Sequence, residues 1–160
     1  MLARSGEVVI EQSDSDGVRL TAAVYVDARP SAVMKAVLDL PPRIAEIDSL
    51  EGVEVYSAGM HTAARWRLDA TIKTVYFHVI YECDWSENFC SFGLDPSKES
   101  DVEQADGAYR VIVDGAGCWL EYHSQTQPHP LLPAQIRKTK RHQTTHQMLM
   151  GIKHRAEALP

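Results

Sequence analysis

Apolar and polar residues alternate along most of this chain, and the places where the alternation changes period mark its helices. From Val18 to Val26 the even positions Val18, Leu20, Ala22, Val24 and Val26 are apolar, the period-two pattern of a strand covered on one face. Residues 7–13 predict a short strand before it, with a turn at Asp14-Ser15-Asp16-Gly17. The period then lengthens. Pro30 opens a segment in which Val33 and Val37 stand four apart, so 30–39 predicts a short helix that Pro41-Pro42 ends. Arg43–Ile47 predicts one or two further helical turns.

Alternation returns at Gly52 and persists for about six strands. Val53 and Val55 mark the first, and Ala64, Trp66, Leu68 and Ala70 the second. Phe77, Val79, Tyr81, Cys83 and Trp85 share one face of the third, with Tyr76, His78, Glu82 and Asp84 on the other. Cys90, Phe92 and Leu94 mark the fourth; Tyr109, Val111 and Val113 the fifth; and Leu120, Tyr122, Ser124 and Thr126 the sixth, after a hairpin at Gly115-Ala116-Gly117. The last quarter is different again. Pro133 suits the first turn of a helix, and no proline follows until Pro160. About 24 helical residues would make a rod of roughly 36 Å. Thr145, Leu149, Ile152 and Ala156 form its apolar stripe. Leu149 and Ile152 are expected to be buried, and Lys153 and Glu157 exposed. Continued backwards, the stripe reaches the polar residues His142 and Lys138, so this face changes from core-like to cavity-like.

Composition narrows the picture. The 160 residues suffice for one domain with a substantial core, and residues 1–160 are expected to form a single one. No apolar run approaches the ~18 residues of a membrane span, and Met1–Glu7 is not followed by the apolar core of a signal peptide. Three cysteines, Cys83, Cys90 and Cys118, fall below the density of a disulfide scaffold and fit a reducing cytoplasm. A net charge of −6 argues against general nucleic-acid binding. Arg137, Lys138, Lys140 and Arg141 nevertheless cluster at the start of the long helix.

Several segments together resemble the START-like, helix-grip superfamily and, within it, the polyketide cyclase/dehydrase-like subgroup. They are VDARPSAVMKAVLDLPP (26–42), GVEVYSAG (52–59), ADGAYRVIVDGAGCWLEYHSQTQPHPLLP (105–133) and MLMGIKHRAE (148–157). The resemblance runs from about Val18 to Glu157. It implies an α+β fold in which a curved antiparallel sheet grips a long C-terminal helix, with two short helices after the first main strand and an apolar cavity between sheet and helix. The superfamily includes cyclases, lipid and sterol carriers, hormone receptors and quinone-binding proteins, so the fold leaves function open.

If the apolar strand faces point inward, the cavity wall is built from Trp66, Leu68, Phe77, Val79, Phe92 and Leu120, with Tyr81, Tyr109, Tyr122, Ser124, Thr126 and the thiols as its polar points. Such a lining suits a polyphenol, lipid or quinone; each tyrosine taken alone also suits an ordinary sheet position with a satisfied hydroxyl. His142 and His146 stand four apart beside Thr139 and Thr145. Two histidines need a third ligand to hold zinc, and no acidic residue between them completes a His-Glu-x-x-His motif. Neither metal nor cofactor is implied. An imidazole at the cavity wall would serve as a general acid/base; the same spacing also describes a solvated helix face.

Two readings follow, with a third beside them. A cyclase or dehydratase would hold a reactive chain in an apolar cavity, with Tyr81 or Tyr122 as acid and His142 as proton acceptor. A non-catalytic carrier or sensor would hold a lipid, quinone or similar metabolite there. A protein-interaction module would use the basic run, which in the cyclase reading meets an acidic acyl-carrier protein. A cavity of roughly 300–1,000 Å³ is expected, the usual range for a ligand pocket.

Overall fold

The computed structural model describes residues 8–15, 17–69, 73–127 and 134–159, with side chains described for all of these except 9, 11–15, 17, 127 and 134–140. Strands β1 (Val9–Ser15) and β2 (Gly17–Val26) form a hairpin and lead into helices α1 (Pro30–Leu38) and α2 (Arg43–Glu46). Six strands follow: β3 (Leu50–Ala58), β4 (Thr62–Asp69), β5 (Thr74–Asp84), β6 (Phe89–Leu94), β7 (Gln104–Asp114) and β8 (Gly117–Gln127). Helix α3 (Ala134–Ala158) comes last.

The eight strands make one antiparallel sheet in the order β1-β2-β8-β7-β6-β5-β4-β3. After β2 the chain crosses by α1 and α2 to the far edge, then meanders back until β8 pairs with β2. The crossover needs helices because no tight turn spans the width of a sheet. Pro30 stands in the first turn of α1, where its missing N–H costs nothing. Val33 and Val37 of α1 are completely buried, as are Val24 and Val26 of β2 and Leu149, Ile152 and Ala156 of α3. These three elements pack together, so the alternation of β2 and the 3.6-residue period of the helices meet in one core.

Helix α2 and the turn after it are stitched to α3. The Arg155 guanidinium donates to both Glu46 carboxylate oxygens, Nε at 2.7 Å and Nη2 at 3.2 Å, and through Nη1 to the Ala36 carbonyl at 2.9 Å. The Asp48 amide donates to Gln147 Oε1 at 2.9 Å, Gln147 Nε2 donates to Asp48 Oδ2 at 2.8 Å, and the Ser49 and Thr144 hydroxyls bond at 2.9 Å. A four-residue helix has little stability alone; these contacts hold it in place.

Four expectations are corrected. Trp85 lies in the β5–β6 turn and is half exposed, and Val113 is 62% exposed where β7 ends; both follow the alternation but lie past the part of the sheet that anything covers. Lys153 and Glu157 are largely covered, with side chains only 14% and 26% exposed. Lys153 Nζ donates to the Tyr25 carbonyl at 2.8 Å and to Glu157 at 2.7 Å, while Glu157 accepts from the Asp27 amide at 2.9 Å. Backbone groups at the end of β2 and just after it recruit these charges, which periodicity alone assigns to solvent. Finally, Cys83 and Cys90, directly opposite on β5 and β6, are joined as a disulfide, leaving Cys118 as the free thiol. Burial pushes the Cys118 thiol up to about 11. Among the described residues no helix is long and apolar enough to cross a membrane.

Asp95, just after β6, accepts from the Ser97 hydroxyl and amide at 2.6 and 2.9 Å and from the Tyr56 hydroxyl at 2.7 Å. These bonds, those from Ser97 first, hold its carboxyl below the usual carboxylate range. A carboxylate whose pKa is lower folded than unfolded adds stability above its unfolded value, about 4, and loses it as pH falls through the folded value. Asp95→Asn should therefore lower the melting temperature at neutral pH, and the gap from wild type should close as the pH is taken below about 4. A gap that persists in acid would mean that Asp95 acts through packing and not through charge.

Candidate functional site

A cavity of about 190 Å³ lies between the concave face of the sheet and helix α3, smaller than the range expected from the sequence. Its sheet side carries an aromatic patch because four adjacent strands bring their aromatic positions into register. Tyr81 pairs with Phe92 across β5–β6, Phe92 with Gly107 across β6–β7, and Tyr109 with Tyr122 across β7–β8. The rings then touch: Phe92 stacks on Tyr122 with centroids 6.0 Å apart, and Tyr109 and Tyr122 stand 5.0 Å apart. Gly107 makes room for this arrangement, since a Cβ there would meet the Phe92 ring at 2.8 Å.

Arg43 of α2 is the charged centre of the site. It is 1% exposed, and its guanidinium lies 5.5 Å from the Trp66 ring centroid and 5.8 Å from that of Tyr109. Nη2 donates to the Val37 carbonyl at 2.6 Å and Nη1 to the Tyr109 hydroxyl at 3.4 Å, while Tyr109 donates to Met148 Sδ at 3.2 Å. No carboxylate among the described residues forms an ion pair with it. Burial works against the charge, but interaction with Tyr109, Tyr81 and Tyr122 outweighs it and raises the pKa. Burial also raises the Tyr81 and Tyr122 phenols well above their ordinary value, with Arg43 opposing it. At neutral pH the site thus holds a guanidinium cation and protonated phenols.

Of the residues singled out in the sequence, Trp66, Leu68, Phe77, Val79, Tyr81 and Phe92 line the cavity from β4, β5 and β6. Tyr109, Tyr122 and Ser124 line it from β7 and β8, and Thr145 from α3. Leu120 does not; it is fully buried in the core beneath α1 and α3. His142 is half-buried but not part of the lining, and His146 is exposed. The side chains of Thr139, Arg137, Lys138 and Lys140 lie outside the described residues. The displacement of His142 has a geometric cause. Counting back from Thr145 by four residues gives a rotation of about 40° from its line, and by three about 60°; with Thr144 and Met148 on the same wall, the face reaches Arg141, which lines the cavity. The Cys83 and Cys90 thiols, being joined, supply no acidic hydrogen to the site.

Arg43 was missed for an instructive reason. Leu40, Ile47 and Leu50 are all buried and lie at helix-like spacing with Arg43 among them, so a charge interrupting that apolar line was a signal available in the sequence.

No protein-family model matches the sequence, and no curated protein matches it. Solved structures do. A STAR-related lipid transfer protein from Xanthomonas axonopodis superposes with a TM-score of 0.74 at 13% identity, over 98% of this chain and 96% of its own. The chain has the START-like helix-grip fold. The protein TTHA0849 from Thermus thermophilus shares this helix-grip architecture with a TM-score of 0.74 at 23% identity, covering 88% of this chain and 97% of that one. The Zhui aromatase/cyclase of a Streptomyces species does so at 0.67 and 15%, over 87% and 93%. At these identities the likeness establishes the helix-grip fold, and the function must be argued from the site.

Proposed function

We propose that the protein binds a small hydrophobic molecule in the cavity between sheet and α3. One observation carries this reading: an apolar cavity with an aromatic wall, whose polar points include the buried Arg43 and the phenols of Tyr81, Tyr109 and Tyr122. A solid core would fill this space with aliphatic side chains, since buried phenols and guanidinium are costly without partners. Fold neighbours named as lipid transfer proteins and aromatase/cyclases support it. The volume suits a ligand of one or two rings, being of the order of the ~150 Å³ apolar cavity that admits benzene. Isothermal titration with 1-naphthol should give saturable one-to-one binding, abolished by Ala105→Phe, which places a ring in the cavity from β7. Binding that survives the filled cavity, or no binding by wild type, would defeat the reading.

A second reading, cyclase- or dehydratase-type catalysis, is favoured by the donors themselves. Arg43 and the phenols of Tyr81, Tyr109 and Tyr122 face one space, as an enolate oxygen developing there would require. Among the described residues no histidine, aspartate or glutamate lines the cavity, so a proton acceptor would have to come from the substrate or water. In this reading an acidic acyl-carrier protein would meet Arg137, Lys138 and Lys140. Tyr122→Phe separates the two: in a cyclase, turnover of a poly-β-ketone should fall about 100-fold or more with binding retained, whereas in a carrier only affinity changes.

A further inference from the structure

The cavity is rich in donors, and among the described residues no carboxylate lines it to match Arg43. Arg43 carries five N–H groups, of which the protein engages those at Nη2 and Nη1. Its Nε is buried without a hydrogen-bond partner, and so is Nε1 of Trp66, which is 6% exposed and lies on the same wall. Arg141 brings a second guanidinium to the lining from α3. Facing Arg43 among the described residues are neutral acceptors: the Val37 carbonyl, the Tyr109 phenol and, beyond it, the Met148 sulfur.

A buried cation left with neutral partners is among the more expensive arrangements in a protein. It is also held there deliberately. The Glu46–Arg155 pair and the Asp48–Gln147 and Ser49–Thr144 bonds fasten the end of α2 and the turn after it to α3, so Arg43 cannot easily swing out to water. Hydrophobic binding alone needs no such group; an apolar ligand would bind better to leucine. The planar fork matches a carboxylate, whose two oxygens accept parallel hydrogen bonds.

We infer that the ligand is an organic acid, with a one- or two-ring or similarly sized apolar body stacked on Trp66, Phe92 and Tyr122 and a carboxylate seated on Arg43. This deepens the cavity-binding reading and rests on it. The acid would accept from the guanidinium fork of Arg43, with the indole N–H of Trp66 beside it, while the phenol of Tyr109 steadies the guanidinium from the other side.

Cinnamate and cinnamamide test the inference, because they share shape and differ in charge. By titration calorimetry at neutral pH, the wild-type protein should bind the acid at least about tenfold more tightly than the amide. The preference should persist at high salt, as screening reaches a buried pair far less than a pair at the protein surface. Arg43→Met, checked for folding by its melting temperature, should abolish the preference while leaving the amide bound. Arg43→Lys, which keeps the charge and loses the fork, should retain part of it. Should Arg43→Met fail to fold, the wild-type comparison and Arg43→Lys decide the matter. Equal or tighter binding of the amide by wild type overturns the organic-acid inference and leaves the cavity reading intact. A preference that vanishes with salt overturns it too, placing the acid on the surface. If neither probe binds, the inference falls, and the 1-naphthol titration shows separately whether the cavity reading falls with it.

Discussion

Leu149→Ala is expected to destabilise the protein by about 2–5 kcal/mol, lowering the melting temperature by roughly 4–20 °C for a chain of this size. Leu149 is completely buried on the face of α3 that meets α1 and β2. Its neighbours in the core, Val24, Val33 and Ile152, are likewise inaccessible, and most belong to regular elements that cannot collapse into the space left behind. The lost transfer energy and the residual cavity therefore add. His154, on the exposed side of the same helix, supplies the control: His154→Ala should change stability by no more than about 0.5 kcal/mol. Denaturant or thermal unfolding of the two variants checks both. Similar, small effects would mean that α3 is not the element the sheet is built around.

Gly151→Ala should also destabilise, although the substitution favours an isolated helix by up to about 1 kcal/mol. Gly151 sits under α2, and a Cβ added there would stand 2.5 Å from Glu46 Oε1 and 2.8 Å from Oε2. Those oxygens are held by Arg155, and both partners are about four-fifths covered. The carboxylate would have to leave its bidentate pair or α2 would have to lift. Overpacking of this kind costs about 1–3 kcal/mol, which exceeds the gain in helix propensity. In a Glu46→Ala background the clash disappears, so Gly151→Ala should then be neutral or stabilising, a coupling that a double-mutant cycle reads directly. Because α2 carries Arg43, the single variant should also weaken ligand binding. A higher melting temperature for Gly151→Ala would show that α2 yields freely and that nothing fixes Arg43.

Much of the architecture is legible in the sequence because local periodicity reports which face of an element is covered. The even positions of β2, the shared face of β5 and the Thr145–Leu149–Ile152–Ala156 stripe are each buried or cavity-facing, and Pro30, Pro41 and Gly115 punctuate the chain where elements begin or end. The aromatic wall was legible too, since strand alternation places Tyr81, Tyr109 and Tyr122 on inward faces whatever the pairing.

Periodicity does not report how far coverage extends or which groups meet from distant parts of the chain. Trp85 and Val113 keep the alternation yet stand in solvent, and Lys153 and Glu157 break it yet are covered, because the Tyr25 carbonyl and the Asp27 amide lie beside them. The site shows the same division. Sequence determined that an aromatic-walled sheet would face a helix turning polar toward its start. Only the tertiary structure decided that Arg141 and not His142 enters the cavity from α3, since a rotation of about 100° separates them. It alone brought Arg43 inward, from a four-residue helix whose direction depends on contacts with α3 about 100 residues later. Local rules determine which residues share a face; long-range packing determines what that face encloses.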